Sequence, residues 1–285
     1  MKVPAYAKLN LSLEVLGRRA DGYHEVRTVL QTIDLADRLD LQPGPGLRVE
    51  CDDSTLNGDA NLVWQAATAL AQAAHLLPSV HIFVHKFIPV GMGLGGGSSD
   101  AASALIALNQ FWSLGLSTGD LAQIAADLGS DVAFFLWGGT ALASGRGEQI
   151  KTLTPLPSMP VILICPNDTI PNKTREMYSH LTPDNYSDGE ATRLLEEILQ
   201  AGHFVPDMLH NVFEEWAFQV FPGLNGIHQR VSGSVPNPFH LSGSGPALFC
   251  LPSTEDEYLR VSNALQPTEA RVYLVGTVGP TKHQG

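Results

Sequence analysis

The sequence predicts an α+β protein built as two units, and three observations carry that expectation. Over residues 3–16, apolar and polar positions alternate strictly, the period-two signature of a strand with one buried face. Strands then come early and helices later, with few regular alternations, which favours α+β over a doubly wound sheet. The stretch Thr154-Pro155-Leu156-Pro157 reads as a connector and divides the chain into a unit over 1–152 and another over 153–285.

The first strand sets Ala5, Ala7, Leu9, Leu11, Leu13 and Val15 on one side. Tyr6, Lys8, Asn10, Ser12 and Glu14 fall on the other, so Lys8 and Asn10 share a polar face. Residues 28–35 and 47–51 read as strands separated by the turn formers Pro43-Gly44-Pro45-Gly46. Residues 61–75 have helical spacing, and 80–88 form a strand ended by Pro89. A glycine-rich loop follows, then a helix over about 98–112. Ser117 and Asp120 make a capping box for a helix running to Leu128. In the second unit a strand over 161–165 precedes helices over 173–179, 190–200 and 206–218. Strands over 240–242 and 246–251 flank a Gly/Ser turn, and a helix over 255–264 and a strand over 272–275 complete the pattern.

The chain has 285 residues, 44% hydrophobic and 16% charged, which suits a folded globular protein. A net charge of −12 without any Lys/Arg block excludes a broad footprint for nucleic acid, yet leaves room for an anionic nucleotide held by local amides and cations. Cys51, Cys165 and Cys250 form no Cys-x-x-Cys pair, and two lie in apolar runs, so they are expected as buried hydrophobes in a reducing compartment. Lys8 and Asn10 interrupt any apolar run of a leader, and no stretch approaches the roughly 18 apolar residues of a membrane span. A cytoplasmic protein that meets no membrane is the expectation. His81 and His85 share a strand face but lack a third ligand nearby, so ordinary strand histidines suffice where zinc would need more.

The most informative segment is Pro89-Val90-Gly91-Met92-Gly93-Leu94-Gly95-Gly96-Gly97-Ser98-Ser99. A strand feeds a glycine run that opens directly into a helix. Glycine lets the backbone approach a ligand closely, and the helix N-terminus adds unpaired N–H groups and a positive dipole end, which together make an anion cradle. A plain strand-to-helix turn would need only one or two glycines. Walker A is excluded, because Gly97 stands where its lysine belongs. Gly91-x-Gly93-x-x-Gly96 matches the dinucleotide fingerprint formally, but a helix rather than a ribose-binding strand follows. Protein-kinase signatures are missing elsewhere, and Asp100 replaces the last glycine of a nucleophile elbow. Valine at Gly95 or Gly97 is expected to weaken nucleotide binding without unfolding the chain.

With those loops set aside, Pro-x-Gly-x-Gly-Leu-Gly-Gly-Gly-Ser-Ser resembles the second motif of the GHMP kinases, the family of galactokinases, homoserine kinases and mevalonate kinases. The run from Ala5 through Lys8 and Asn10 to Gly17-Arg-Arg-Ala-Asp21-Gly22-Tyr23-His24-Glu25 resembles one branch of it, which acts on a cytidine diphosphate-linked methylerythritol. Gly129-Ser130-Asp131-Val132-Ala133-Phe134-Phe135 is similar to that branch's segment bearing the catalytic aspartate, with Ala133 where proline is usual. Leu241-Ser-Gly243-Ser-Gly245-Pro-Ala-Leu-Phe249 resembles the third family motif.

The resemblance implies an N-terminal domain like ribosomal protein S5 domain 2, a ferredoxin-like C-terminal domain and an active site between them. It implies an ATP- and Mg2+-dependent kinase for an alcohol on the way to isoprenoid precursors, with Lys8 and Asp131 catalytic. The loop from Pro89 to Ser99, with Asn61 and Lys86, would bind the nucleotide. Asn10, Tyr23, His24 and Tyr178 would bind the substrate, the two aromatics stacking on the cytosine ring. Each has a plainer alternative: Asp131 as a helix cap, Lys8 as a surface residue, Tyr23 and His24 as turn residues, Tyr178 as a half-buried helix residue. Another GHMP kinase, a non-catalytic sensor of the same fold and a dinucleotide oxidoreductase remain open alternatives. Magnesium ligands and oligomeric state stay unassigned.

Overall fold

A computed structural model describes residues 1–280 of the chain. The period-two segment forms β1 (Lys2–Arg18), which pairs antiparallel along almost its whole length with β2 (His24–Gln42). A seven-stranded sheet grows from this pair. β4 (Val80–His85) adds beside β2, and β3 (Leu47–Cys51) lies outside β4. The hairpin β5 (Thr140–Gly145) and β6 (Gln149–Thr152) joins β2. Helices α1 (Leu62–Ala73), α2 (Gly96–Phe111), α3 (Thr118–Leu128) and α4 (Val132–Trp137) bury their apolar sides against Leu30, Leu39, Leu41, Ile82 and Val84. The capping box of α3 forms as expected: Asp120 N donates to Ser117 Oγ and Ser117 N to Asp120 Oδ2.

The second sheet contains β7 (Pro160–Pro166), β9 (His240–Leu241), β10 (Leu248–Cys250) and β11 (Ala270–Gly276), all antiparallel, in the order β11-β7-β10-β9. Counted along the chain that order is 4-1-3-2, the ferredoxin-like arrangement the resemblance implies. Helices α5 (Lys173–Ser179), α6 (Glu190–Gln200), α7 (Glu214–Val220), α8 (Leu224–Val231) and α9 (Glu255–Ala264) accompany it. One apolar row of β1 serves every core: Ala5 enters the helical one, Ala7, Leu9 and Leu11 the one between the sheets, and Leu13 and Val15 the third. All three cysteines are buried and unpaired. No described helix is long and apolar enough to cross a membrane.

Three expectations need correction, and two features were not expected at all. The polar face of β1 is buried as well, because α6 and the glycine turns lie over it. Glu14 accepts bonds from Thr192 N and Ser187 Oγ at 2.7 Å each, which satisfies a carboxylate removed from water. Residues 206–218 are not one helix. A two-residue β8 (His210–Asn211) runs parallel to β1, and Asn211 Nδ2 donates to Leu241 O and Gly243 O at 2.8 Å, so tertiary bonds override a helical pattern. The β5–β6 hairpin and α8 were not expected: β5 is a short, buried, alanine-rich strand, and α8 is a short helix that follows Gly223 and carries Gly226, a poor helix former. Finally, α2 starts two residues earlier than expected, at Gly96, inside the glycine run.

Candidate active site

A cleft of about 1550 Å³ opens between the helical half of the first sheet and the ferredoxin-like unit. Pockets for one small molecule run to roughly 300–1,000 Å³, so this space admits two ligands side by side.

One wall is the glycine loop. Its entry is pinned by Asp37, whose Oδ1 accepts Ile88 N at 2.8 Å and whose other oxygen takes the Lys86 ammonium. Lys86 also binds Asp100, on the first turn of α2, at 2.6 Å. Burial pulls the Lys86 ammonium down, yet the two carboxylates outweigh it and hold its pKa above the ordinary lysine value. Gly93 and Gly95 adopt left-handed φ of +83° and +72°. A Cβ on Gly93 would lie 2.2 Å from Ser242 O, and one on Gly95 2.7 Å from the Phe135 ring, so both positions require glycine. α2 begins without a side-chain cap, which leaves its first amides for an anion.

Gly95→Val would therefore strain the fold itself, contrary to the sequence expectation. Gly97 is the clean probe, since it has no left-handed φ and a Cβ there meets only Leu62 Cδ1 at 3.7 Å. Gly97→Val should leave the thermal transition in place and weaken ATP about 10- to 100-fold, the worth of one or two amide–phosphate bonds. Calorimetric titration showing wild-type affinity in the folded variant would contradict an anion cradle here. Ser98 faces the cleft. Ser99 does not: it is buried and its hydroxyl donates to Tyr6 O at 2.7 Å, so its side chain supports the loop from beneath.

Lys8 stands at the centre. It is 3% exposed, donates to Asn10 Oδ1 at 2.6 Å and faces Asp131 Oδ2 at 3.6 Å. Asn10 is held in turn by Thr28 Oγ1 at 2.8 Å, so β1 and β2 fix the orientation of the lysine. The backbone N of Lys8 donates to Leu94 O at 3.0 Å and ties the glycine loop to the same strand. Asp131 precedes α4 but makes no side-chain capping bond, and its side chain is 38% exposed to the cleft, so a capping role does not account for it. The turn over residues 242–245 closes the site: Ser242 Oγ donates to Gly93 O, and a Cβ on Gly243 would lie 3.1 Å from Lys8 Nζ. Three stretches distant in sequence thus meet at one ammonium.

At the other end of the cleft the His24 and Tyr178 rings lie 4.9 Å apart, and Tyr178 packs edge-on against Phe213. Burial and the nearby Arg18 pull the His24 pKa down, so its ring is neutral near pH 7. Burial, with the Asp131 charge, raises the Tyr178 phenol. Tyr23 is 56% exposed, with the Arg146 guanidinium 5.1 Å above its ring. Asn61 and Lys86 also line the cleft, but their side-chain groups are already committed. Asn61 caps α1 through Val63 N and donates to Leu56 O, while Lys86 serves its two carboxylates. Sequence reasoning missed Arg146, Lys173 and Ser244. The available signals were a lone cation between Gly145 and Gly147, and a lysine on the helix that also carries Tyr178.

An anion cradle at a helix start, a lysine–aspartate pair beside it and a ferredoxin-like unit across the cleft describe the architecture of a GHMP-type kinase. Residues 61–139 match the GHMP kinases N terminal domain. The chain is 38% identical to the 4-diphosphocytidyl-2-C-methyl-D-erythritol kinase of Dehalococcoides mccartyi, over 97% of this chain and 98% of that one. It is 39% identical to the kinase of the same name from Bacillus cereus, over 97% and 96%. A crystal structure of 4-(cytidine 5'-diphospho)-2C-methyl-D-erythritol kinase superposes with a TM-score of 0.81 at 36% identity, covering 98% of this chain and all of that one. The chain belongs to the GHMP kinase family, in the line of the 4-diphosphocytidyl-2-C-methyl-D-erythritol kinases.

Proposed function

We propose that the chain transfers the terminal phosphoryl group of ATP to the 2-hydroxyl of 4-diphosphocytidyl-2-C-methyl-D-erythritol, releasing ADP and the 2-phosphate on the route to isopentenyl diphosphate. The observation that carries this is the Lys8–Asp131 pair set between a glycine cradle and an aromatic recess within one cleft. The amides of the loop and of the first turn of α2 hold the nucleotide phosphates. Asp131 accepts or orients the hydroxyl proton as the phosphoryl group moves, and Lys8, steadied by Asn10, offsets developing charge. Residues 1–152 form the nucleotide-binding domain and 153–285 the C-terminal domain that completes the cleft.

Magnesium would enter with the nucleotide. Among the described residues no group of three or more His, Cys, Asp or Glu side chains could cage an ion. That suits magnesium, which is commonly held by substrate phosphates, waters and one or two carboxylates. Asp131 and Ser98 are the groups at hand in the cleft, and the ion would neutralise charge on the phosphate oxygens. Three buried, unpaired thiols favour a reducing compartment, the cytoplasm.

The aromatic recess sets the substrate. Tyr23 and Tyr178 offer faces for the cytosine ring, and a neutral His24 offers a donor and an acceptor for its polar edge. Tyr23→Ala should cost roughly 1–3 kcal/mol of stacking, and His24→Ala about 1–3 kcal/mol of unpaired polar edge. Steady-state kinetics should show a raised KM for the cytidylated alcohol in each variant and a nearly unchanged KM for ATP. A kinetically silent Tyr23→Ala would remove the tyrosine from the substrate site.

A further inference from the structure

We propose that Lys173, at the start of α5, is a phosphate-binding residue of this cleft and takes the terminal phosphate of the donor nucleotide between the 242–245 turn and the Lys8–Asp131 pair. The inference rests on the kinase reading above. Among the described residues three lysines reach the cleft, and they differ in what they face. Lys86 is neutralised by Asp37 and Asp100. Lys8 stands against Asp131 and the Asn10 carbonyl. Lys173 donates only to a neutral hydroxyl, Ser244 Oγ, at 2.9 Å, and among the described residues no carboxylate comes within ion-pair distance of it.

A half-buried ammonium matched only by a hydroxyl is an unfavourable arrangement unless an anion visits it. The location says which anion. Ser244 lies between Gly243, which abuts Lys8 Nζ, and Gly245, whose backbone would be 3.1 Å from a Cβ on Gly93 of the phosphate loop. Thr174 Oγ1 lies 3.0 Å from Ser244 Oγ and shares a hydrogen bond with it. The cation therefore sits on the wall that closes over the glycine loop, beside the pair proposed to activate the acceptor hydroxyl. The terminal phosphate must pass there.

The charged groups facing Lys173 are Lys8 from β1, which repels it, and Asp131 from the turn before α4, which attracts it. The 242–245 turn contributes only the Ser244 hydroxyl. Burial, aided by Lys8, lowers the ammonium to about 8. A bound phosphate would push that value back up, so binding near pH 8 draws in a proton.

The test is calorimetric titration of wild type, Lys173→Met and Lys173→Arg with a non-hydrolysable ATP analogue and with ADP, in buffers of different ionisation enthalpy at pH 8. ADP release with ATP and the cytidylated alcohol is followed in parallel. Lys173→Met should weaken the analogue about 10- to 100-fold, the range of a charge-assisted hydrogen bond, while ADP affinity stays nearly unchanged. Lys173→Arg should restore most of the loss. Proton uptake should accompany analogue binding in wild type and vanish in Lys173→Met. Should methionine unfold the chain, Lys173→Gln carries the same comparison. Unchanged analogue affinity, an equal loss for ADP, or a loss confined to the cytidylated alcohol would each overturn the assignment. A wild-type protein that releases no ADP would instead remove the kinase reading itself.

Discussion

Asp131→Asn is expected to bind both substrates and to lose about 10²- to 10⁴-fold in kcat, the contribution of a positioned proton acceptor. The substitution keeps the shape and removes the charge. The structure also makes it a usable variant: Asp131 forms no capping bond, its side chain is partly open to the cleft, and Lys8, the cation it faces, keeps its bond to Asn10 Oδ1. Rapid kinetics with ATP and the cytidylated alcohol would measure it. Turnover retained to within about tenfold, roughly 1.4 kcal/mol of barrier, would mean that Asp131 is not the principal catalytic group. Lys8, 3.6 Å away, would then need another partner.

Lys86→Met is expected to act on stability rather than on chemistry. It leaves Asp37 and Asp100 buried together without their common cation, a change worth about 3–5 kcal/mol. Burial already raises Asp100, against the pull of Lys86, and the raise grows once the lysine is gone. Adding Asp100→Asn to the variant should recover part of the loss, because one of the two unpaired charges is removed. Denaturant unfolding of the single and double variants would read both effects. A Lys86→Met protein that keeps its stability but loses ATP affinity would return the lysine to the nucleotide site as a ligand, as the sequence suggests.

That contrast marks what a single chain reveals. The glycine loop and the polar face shared by Lys8 and Asn10 were legible, because a glycine run and a two-residue period are local patterns, whereas Tyr23, His24 and Asp131 stood out only through the family resemblance. All of them except Ser99 of the loop line one cleft. The partners of Lys86, Asp37 and Asp100, lie 49 and 14 residues away, and no local pattern announced them. Ser99 looked like a second hydroxyl until the Tyr6 carbonyl took it. Lys173 and Ser244 lie 71 residues apart and become neighbours only when α5 meets the second glycine turn. The fold divides the same way. Capping boxes and period-two strands appear directly, while β8 exists because Asn211 finds carbonyls on a strand 30 residues later.

The most direct test of the central claim compares ADP release by the wild-type protein with two acceptors, 4-diphosphocytidyl-2-C-methyl-D-erythritol and the same methylerythritol phosphate without its cytidyl group. The predicted result is ATP-dependent turnover of the first, with one ADP for each alcohol phosphorylated, and very little of the second, because the recess at His24 and Tyr178 then stays empty. Equal turnover of the two would contradict the substrate assignment and leave a kinase resting on the glycine loop, Lys8 and Asp131. No ADP release with either would contradict the kinase reading itself.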